Sequence, residues 1–176
     1  MRIRDITYMA IFVALMAVCS WLEIPSVVPF TMQTFAVFFA VEMLGGKRGS
    51  IAVLAYILLG AVGVPVFSGF SGGIGAVLGP TGGYIVGFLG SALIMWLLER
   101  VVKGAGLKAV IRMLAGLVVC YAVGTAWFMR VYAANNGPVT LATALSWCVI
   151  PFILPDCAKI ALAALLSARL KKRMTI

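Results

Sequence analysis

Two ionisable residues stand three apart in an otherwise apolar stretch, Pro155-Asp156-Cys157-Ala158-Lys159. On a helix, the i, i+3 spacing puts the carboxylate and the ammonium on one face. There they can pair, or present an acceptor and a donor to one ligand. An ionisable group in the body of an apolar helix costs about 2.5–3.5 kcal/mol on membrane-insertion scales, so such groups persist where they pair or face a polar cavity. Pro151 and Pro155 each remove a backbone donor, which predicts a bend and freed carbonyls beside a cavity. The competing reading is a buried ion pair that only fixes helix packing.

A second constellation is the run from Phe67 to Tyr84, with seven glycines in eighteen residues. Such a run does not form an ordinary spanning helix. Glycine allows tight turns and close approach of the backbone to a ligand, so the run is expected to form a re-entrant or capping loop over a pocket. A flexible linker is the alternative. Phe67 and Tyr84 offer apolar, aromatic walls, and Ser71 and Thr81 offer hydroxyls. The glycines miss the G-x-G-x-x-G spacing, and no G-x-x-x-x-G-K-[ST] occurs, so no P-loop hydrolyses ATP here.

A third group is Pro29-Phe30-Thr31-Met32-Gln33-Thr34. Gln33 carries both donor and acceptor, and the threonines add hydroxyls that can contact a ligand or cap a helix. A fourth is Ala10-Ile11-Phe12-Val13-Ala14, followed by Ala17, whose small residues let another helix approach closely in lipid. Internal packing and a partner surface both fit that spacing. Enzyme chemistry is poorly served. The chain has no histidine and five carboxylates, Asp5, Glu23, Glu42, Glu99 and Asp156, with no evident carboxylate pair, nucleophile–base pair or metal set.

The elements that must position these residues follow from composition. Of 176 residues, 64% are hydrophobic and 11% charged, against about 25% charged in soluble domains. This is the composition of a lipid bilayer protein, in which a spanning helix needs roughly 20 apolar residues. Apolar runs lie near 6–22, 31–45, 50–65, 81–99, 108–132 and 141–168, the last interrupted by Pro151 and Pro155. They predict one all-α domain of six transmembrane helices over 1–176, with the glycine-rich loop between the third and fourth. Arg2 and Arg4 before the first run resemble a signal-peptide n-region, but no clean cleavage site follows, so the segment reads as a retained helix. Asn135-Asn136-Gly137-Pro138 marks a turn. Cys19, Cys120, Cys148 and Cys157 all fall in apolar runs and read as buried unpaired thiols.

The net charge of +9 is not a nucleic-acid signature, because the basic residues sit in short clusters between apolar runs. Arg2, Arg4, Lys47, Arg48, Arg100, Lys103, Lys108, Arg112, Arg169, Lys171, Lys172 and Arg173 all fall on one side if six spans are drawn. The positive-inside rule then places both termini in the cytoplasm and the protein in the cell membrane, with the glycine-rich loop outside. Arg130 and Lys159 are the exceptions, and Arg130 can snorkel.

The run ending GPTGGY with its upstream SGG, the PFTMQT segment, the GGKRG turn and the late PDCAK motif occur together over nearly the whole chain. This combination resembles the BioY family, the biotin-specific substrate-binding (S) components of energy-coupling factor (ECF) transporters. The resemblance implies a six-helix membrane subunit that holds biotin near the outer face. Its partners would be a membrane scaffold subunit and two cytoplasmic ATPases. It also implies that Ala10 and Ala14 meet the scaffold, and that Asp156 and Lys159 contact biotin. The chemistry is compatible with a ureido ring, whose N–H groups suit Asp156 and whose carbonyl suits Lys159. Thr34, Gln33 or loop amides could take the carboxylate tail, and Lys159 and Arg130 are the basic candidates. The alternatives are a stand-alone vitamin carrier, an S component for another vitamin, or a small membrane enzyme. No cofactor is expected beyond the transported ligand.

Overall fold

The structure, a computed structural model, describes residues 2–25 and 28–171. Among these residues it contains eight helices: α1 (Ile3–Trp21), α2 (Gln33–Leu44), α3 (Gly46–Ala61), α4 (Ile74–Leu78), α5 (Gly82–Glu99), α6 (Leu107–Asn136), α7 (Leu141–Cys148) and α8 (Ile150–Lys171). A small antiparallel ribbon, β1 (Glu23–Ile24) and β2 (Phe30–Thr31), joins α1 to α2. The expectation of an all-helical chain holds apart from this ribbon.

The molecule is apolar on the outside and polar within. Ile11, Val18, Leu58, Leu97, Val118 and Leu165 point outward, while Gln33, Glu42, Arg112, Asp156 and Lys159 are buried. Water would reverse that arrangement, whereas hydrocarbon permits it because polar groups must there be satisfied internally. Four helices, α1, α5, α6 and α8, are long and apolar enough to cross a bilayer. α2 has 12 residues and α3 has 16, or about 18 and 24 Å at 1.5 Å per residue, short of the roughly 30 Å hydrocarbon core. α2 is central: between Phe35 and Leu44 every side chain is buried. Packed on all sides by protein, it needs no apolar belt of its own.

Local chemistry sets the helix ends. α6 stops at Gly137, which adopts φ 91° and donates its N–H to the Ala133 carbonyl, a left-handed stop that glycine adopts without a Cβ penalty. Thr140 caps α7 by accepting the Thr143 N–H at 3.2 Å. The single interrupted run expected over 141–168 is two helices, α7 and α8, separated at Val149. Pro151 therefore does not bend a helix. It sits in the first turn of α8, where its missing N–H has no intrahelical partner to lose. Pro155 lies inside α8.

Six helix ends meet at one end of the bundle through polar contacts. Arg48 pairs with Asp5 at 3.2 Å, joining the starts of α3 and α1. Glu99 at the end of α5 accepts the Gly46 N–H at 2.7 Å. Glu42 near the end of α2 holds Arg112 of α6 at 2.8 Å and Lys171 of α8 at 2.9 Å. Arg112 also donates to the carbonyls of Val102 and Gly104, fixing the α5–α6 loop. The basic residues expected on one face thus gather at this end, except Lys172 and Arg173, which lie outside the described residues. Arg112 is more than a topology charge, since it is buried in an ion pair.

Candidate functional site: a cavity at the end opposite the basic cluster

At the other end, the start of α2, the 67–81 loop, α5, α6, α7 and α8 surround a cavity. All eight residues singled out from the sequence as ligand-contacting line it: Asp156, Lys159, Tyr84, Gln33, Thr34, Phe67, Ser71 and Thr81. They come from four separate stretches of chain, so their convergence is tertiary. Arg130, the alternative basic group, is exposed on α6 and does not line the cavity; Lys159 is the basic group that does.

Asp156 and Lys159 pair as their spacing implies, at 2.8 Å, and both are over nine-tenths buried. Each has a second partner from a distant element. Lys159 donates to the Thr31 carbonyl at 2.7 Å and lies 4.0 Å from the Phe30 ring centroid, close enough for cation–π attraction. Tyr121 of α6 donates to the other Asp156 oxygen at 2.6 Å. The pair is therefore neither bare nor saturated. Each carboxylate oxygen keeps acceptor capacity, and one of the three Lys159 N–H groups remains outside these two hydrogen bonds. Phe30 stacks on Phe152 with centroids 6.0 Å apart, closing the wall behind the pair.

Two aromatic side chains are placed by glycines that tolerate no Cβ. A Cβ on Gly60 of α3 would overlap the Phe67 ring, and one on Gly124 of α6 would overlap the Tyr84 ring. The Tyr84 hydroxyl sits 3.2 Å from Thr125 Oγ1. The glycine-rich run is a structured cap: Phe67 and Ser71 form an antiparallel bridge around a 3-10 turn at Ser68–Phe70, and α4 follows. Ser71 donates to the Ser68 carbonyl at 2.7 Å, while Thr34 and Thr81 have no side-chain hydrogen bond among the described residues. Gln33 donates to Tyr56 at 2.7 Å.

Sequence reasoning missed Tyr121 and the Thr31 carbonyl. Tyr121 stands 35 residues from Asp156 with no local motif around it, and a backbone carbonyl carries no residue signature. Cys157, read as buried, is exposed, while Cys19, Cys120 and Cys148 are buried and all four are free. Ala10 and Ala14 are exposed on α1 and line a separate apolar groove with Ile51, Ala55 and Leu59 of α3. Among the described residues, no cluster of His, Cys, Asp or Glu could hold a metal ion.

The family model described as the BioY family matches residues 1–176. The biotin transporter BioY of Thermotoga maritima is 40% identical over 170 residues, 96% of each chain. The probable biotin transporter BioY of Pyrococcus horikoshii is 39% identical over 97% of this chain and 98% of its own. A crystal structure of the S-component for biotin from an ECF-type ABC transporter superposes with a TM-score of 0.84 at 29% identity, covering 97% of this chain and 92% of that one. The relatives are transporters, which bears out the expectation of a non-enzymatic protein. With a match that runs the full length of the sequence and close relatives across most of it, the chain belongs to the BioY family.

Proposed function

We propose that the chain is the biotin-binding S component of an ECF-type importer, capturing the vitamin at the outer face for uptake driven by partner ATPases. The observation that carries this reading is the Asp156–Lys159 pair on the cavity wall, held by Tyr121 and Thr31 with donor and acceptor capacity to spare. Asp156 accepts a ureido N–H, and Lys159 donates to the ureido oxygen. Phe67, Tyr84 and Phe88 enclose the thiophane ring and the aliphatic chain. Thr34, Thr81, Ser71 and the loop amides are the donors available to the carboxylate tail.

The chain passes the membrane six times, with α2 and α3 as short inner passes and α7 with α8 as the last. Both termini and the basic end face the cytoplasm, which supports capture from outside because the cavity lies at the opposite end. The groove beside Ala10 and Ala14 receives a transmembrane scaffold subunit, and two cytoplasmic ATPases complete the module. These assignments rest on the one-sided basic residues, the exposed small residues of α1 and the family's transporters.

Calorimetric titration of the purified protein with biotin, thiamine and riboflavin tests the ligand. Tight binding of biotin alone is expected, and tight binding of another vitamin instead would overturn the assignment. Co-purification with a scaffold and ATPases separates this reading from a stand-alone carrier, for which uptake by the chain expressed alone would be the signature.

A further inference from the structure

Tyr56 lies outside the cavity, wholly buried in α3, yet it touches two parts of the cavity wall. Its hydroxyl is 2.7 Å from Gln33 Nε2 and 2.7 Å from the Val66 carbonyl. Its ring meets Phe67 edge-on, with centroids 5.6 Å apart at 83°. Proton counting fixes the direction of this relay. A carbonyl only accepts, so the contact at Val66 needs the single Tyr56 proton. Tyr56 must then accept from its other neighbour, and only the amide nitrogen of Gln33 can donate. Ser20 does not change this: its single proton is taken by a carbonyl, that of Ala17 at 2.7 Å or that of Val66 at 2.6 Å, so it has none to give Tyr56.

The Gln33 amide is thereby held in one of its two flip states. Its nitrogen faces Tyr56, and its oxygen accepts no hydrogen bond among the described residues. The one sealed side-chain polar atom without a partner there is Glu23 Oε2, so Gln33 Oε1 is open to the cavity that Gln33 lines.

We propose that Tyr56 is a positioning residue that locks Gln33 to present its carbonyl oxygen to the ligand, so that Gln33 reads a ligand N–H. This deepens the vitamin reading above and rests on it for the ligand's identity. Asp156 takes one ureido N–H and Gln33 the other, and a ligand with an acceptor at the second position is rejected. A freely flipping glutamine would accept either, since its NH2 could turn to meet the acceptor.

Gln33 is the sole glutamine of the chain, which makes the lock directly observable. In the ligand-free full chain labelled with 15N-glutamine in nanodiscs, one side-chain amide proton is expected to exchange slowly with solvent and to be shifted from its partner. In Tyr56→Phe both protons exchange fast. Identical amide signals in the two proteins would overturn the lock whether or not biotin binds. The ligand arm uses the two cyclic carbamate isomers of biotin, each with one ureido N–H replaced by oxygen. Wild-type protein is expected to bind one isomer about tenfold more weakly than Tyr56→Phe does relative to biotin, because only the flipping amide accommodates it. Gln33→Met, which removes the reader and leaves Tyr56 in place, also loses the discrimination and serves should Tyr56→Phe not fold. An isomer ratio unchanged in Gln33→Met would overturn the reading role. If wild-type protein binds no biotin while the amide signals behave as expected, the vitamin assignment fails and the lock stands.

Discussion

The buried pair at residue scale is a small network whose members are worth different amounts. Tyr121→Phe removes one charge-assisted hydrogen bond to Asp156, a bond of about 1.5–3 kcal/mol. It is expected to weaken biotin binding roughly tenfold or more by calorimetry while the protein stays folded; an unchanged affinity would show that Tyr121 only fills space. Asp156→Asn and Lys159→Met each leave a buried charge without its partner, the kind of change that costs about 3–5 kcal/mol. Each single variant should insert in the membrane but bind biotin far more weakly. The double variant should melt at a higher temperature than either single one, because no uncompensated charge remains. Unchanged biotin affinity in both single variants would reassign the pair to packing. The pairing of Asp156 with Lys159 was legible in the sequence because it is local, three residues along one helix. Their second partners were not, because Tyr121 and the Thr31 carbonyl reach them across 35 and 128 residues.

The telling features among the elements are close approaches that only glycine permits. α5 and α6 form the most extensive helix pairing in the molecule, with Gly83 against Trp127, Gly87 against Cys120 and Gly124 against Tyr84. In lipid, where apolar burial gives no advantage, such approach of small residues supplies the packing contacts. Gly60→Ala in α3 should push the Phe67 ring from its seat and lower biotin affinity with little loss of helix content; circular dichroism and titration together check this. The glycine-rich run was readable as something other than an ordinary spanning helix, yet neither its cap geometry nor the short α4 within it was. The Phe67–Ser71 bridge and the turn of α4 depend on which neighbours their amides find. The proline pair shows the opposite limit. Pro151 predicts a disturbance at its position, but the chain divides at Val149, and Pro151 opens α8 instead of bending it.

The two ends of the whole molecule do different work. The basic end is tied together by Glu42, Arg112, Lys171, Glu99 and Asp5, and the cavity occupies the other. Arg112→Met leaves Glu42 with only the half-exposed Lys171 and frees the Val102 and Gly104 carbonyls. A stability loss of about 3–5 kcal/mol is expected, read as a lowered melting temperature, with biotin affinity of the folded protein within threefold of wild type. A parallel loss of affinity would mean the two ends are coupled. Orientation is tested by thiol labelling after Cys157 is replaced by serine. Gly75→Cys, at an exposed position with open space around it, should react with an impermeant maleimide on intact cells, and Lys103→Cys only after lysis. The reverse pattern would invert the topology. A bulky Ala14→Trp in the α1 groove should block assembly with the scaffold while leaving biotin binding intact, measured by co-purification.

Composition alone sets the solvent, because a chain with so few charges and such long apolar runs is stable only where its exterior meets hydrocarbon. The sequence also sets which local groups could do chemistry, since helical spacing puts Asp156 and Lys159 on one face and the glycine content rules out an ordinary spanning helix over 67–84. Folding is what closes four separate stretches around one cavity, leaves Arg130 outside it, and lets Tyr121, Tyr56 and two backbone carbonyls set its polar groups. The physical reason is range. Periodicity and propensity act over a few residues, whereas a buried polar group takes whichever partner folding brings within about 3 Å, however far away it lies in the chain.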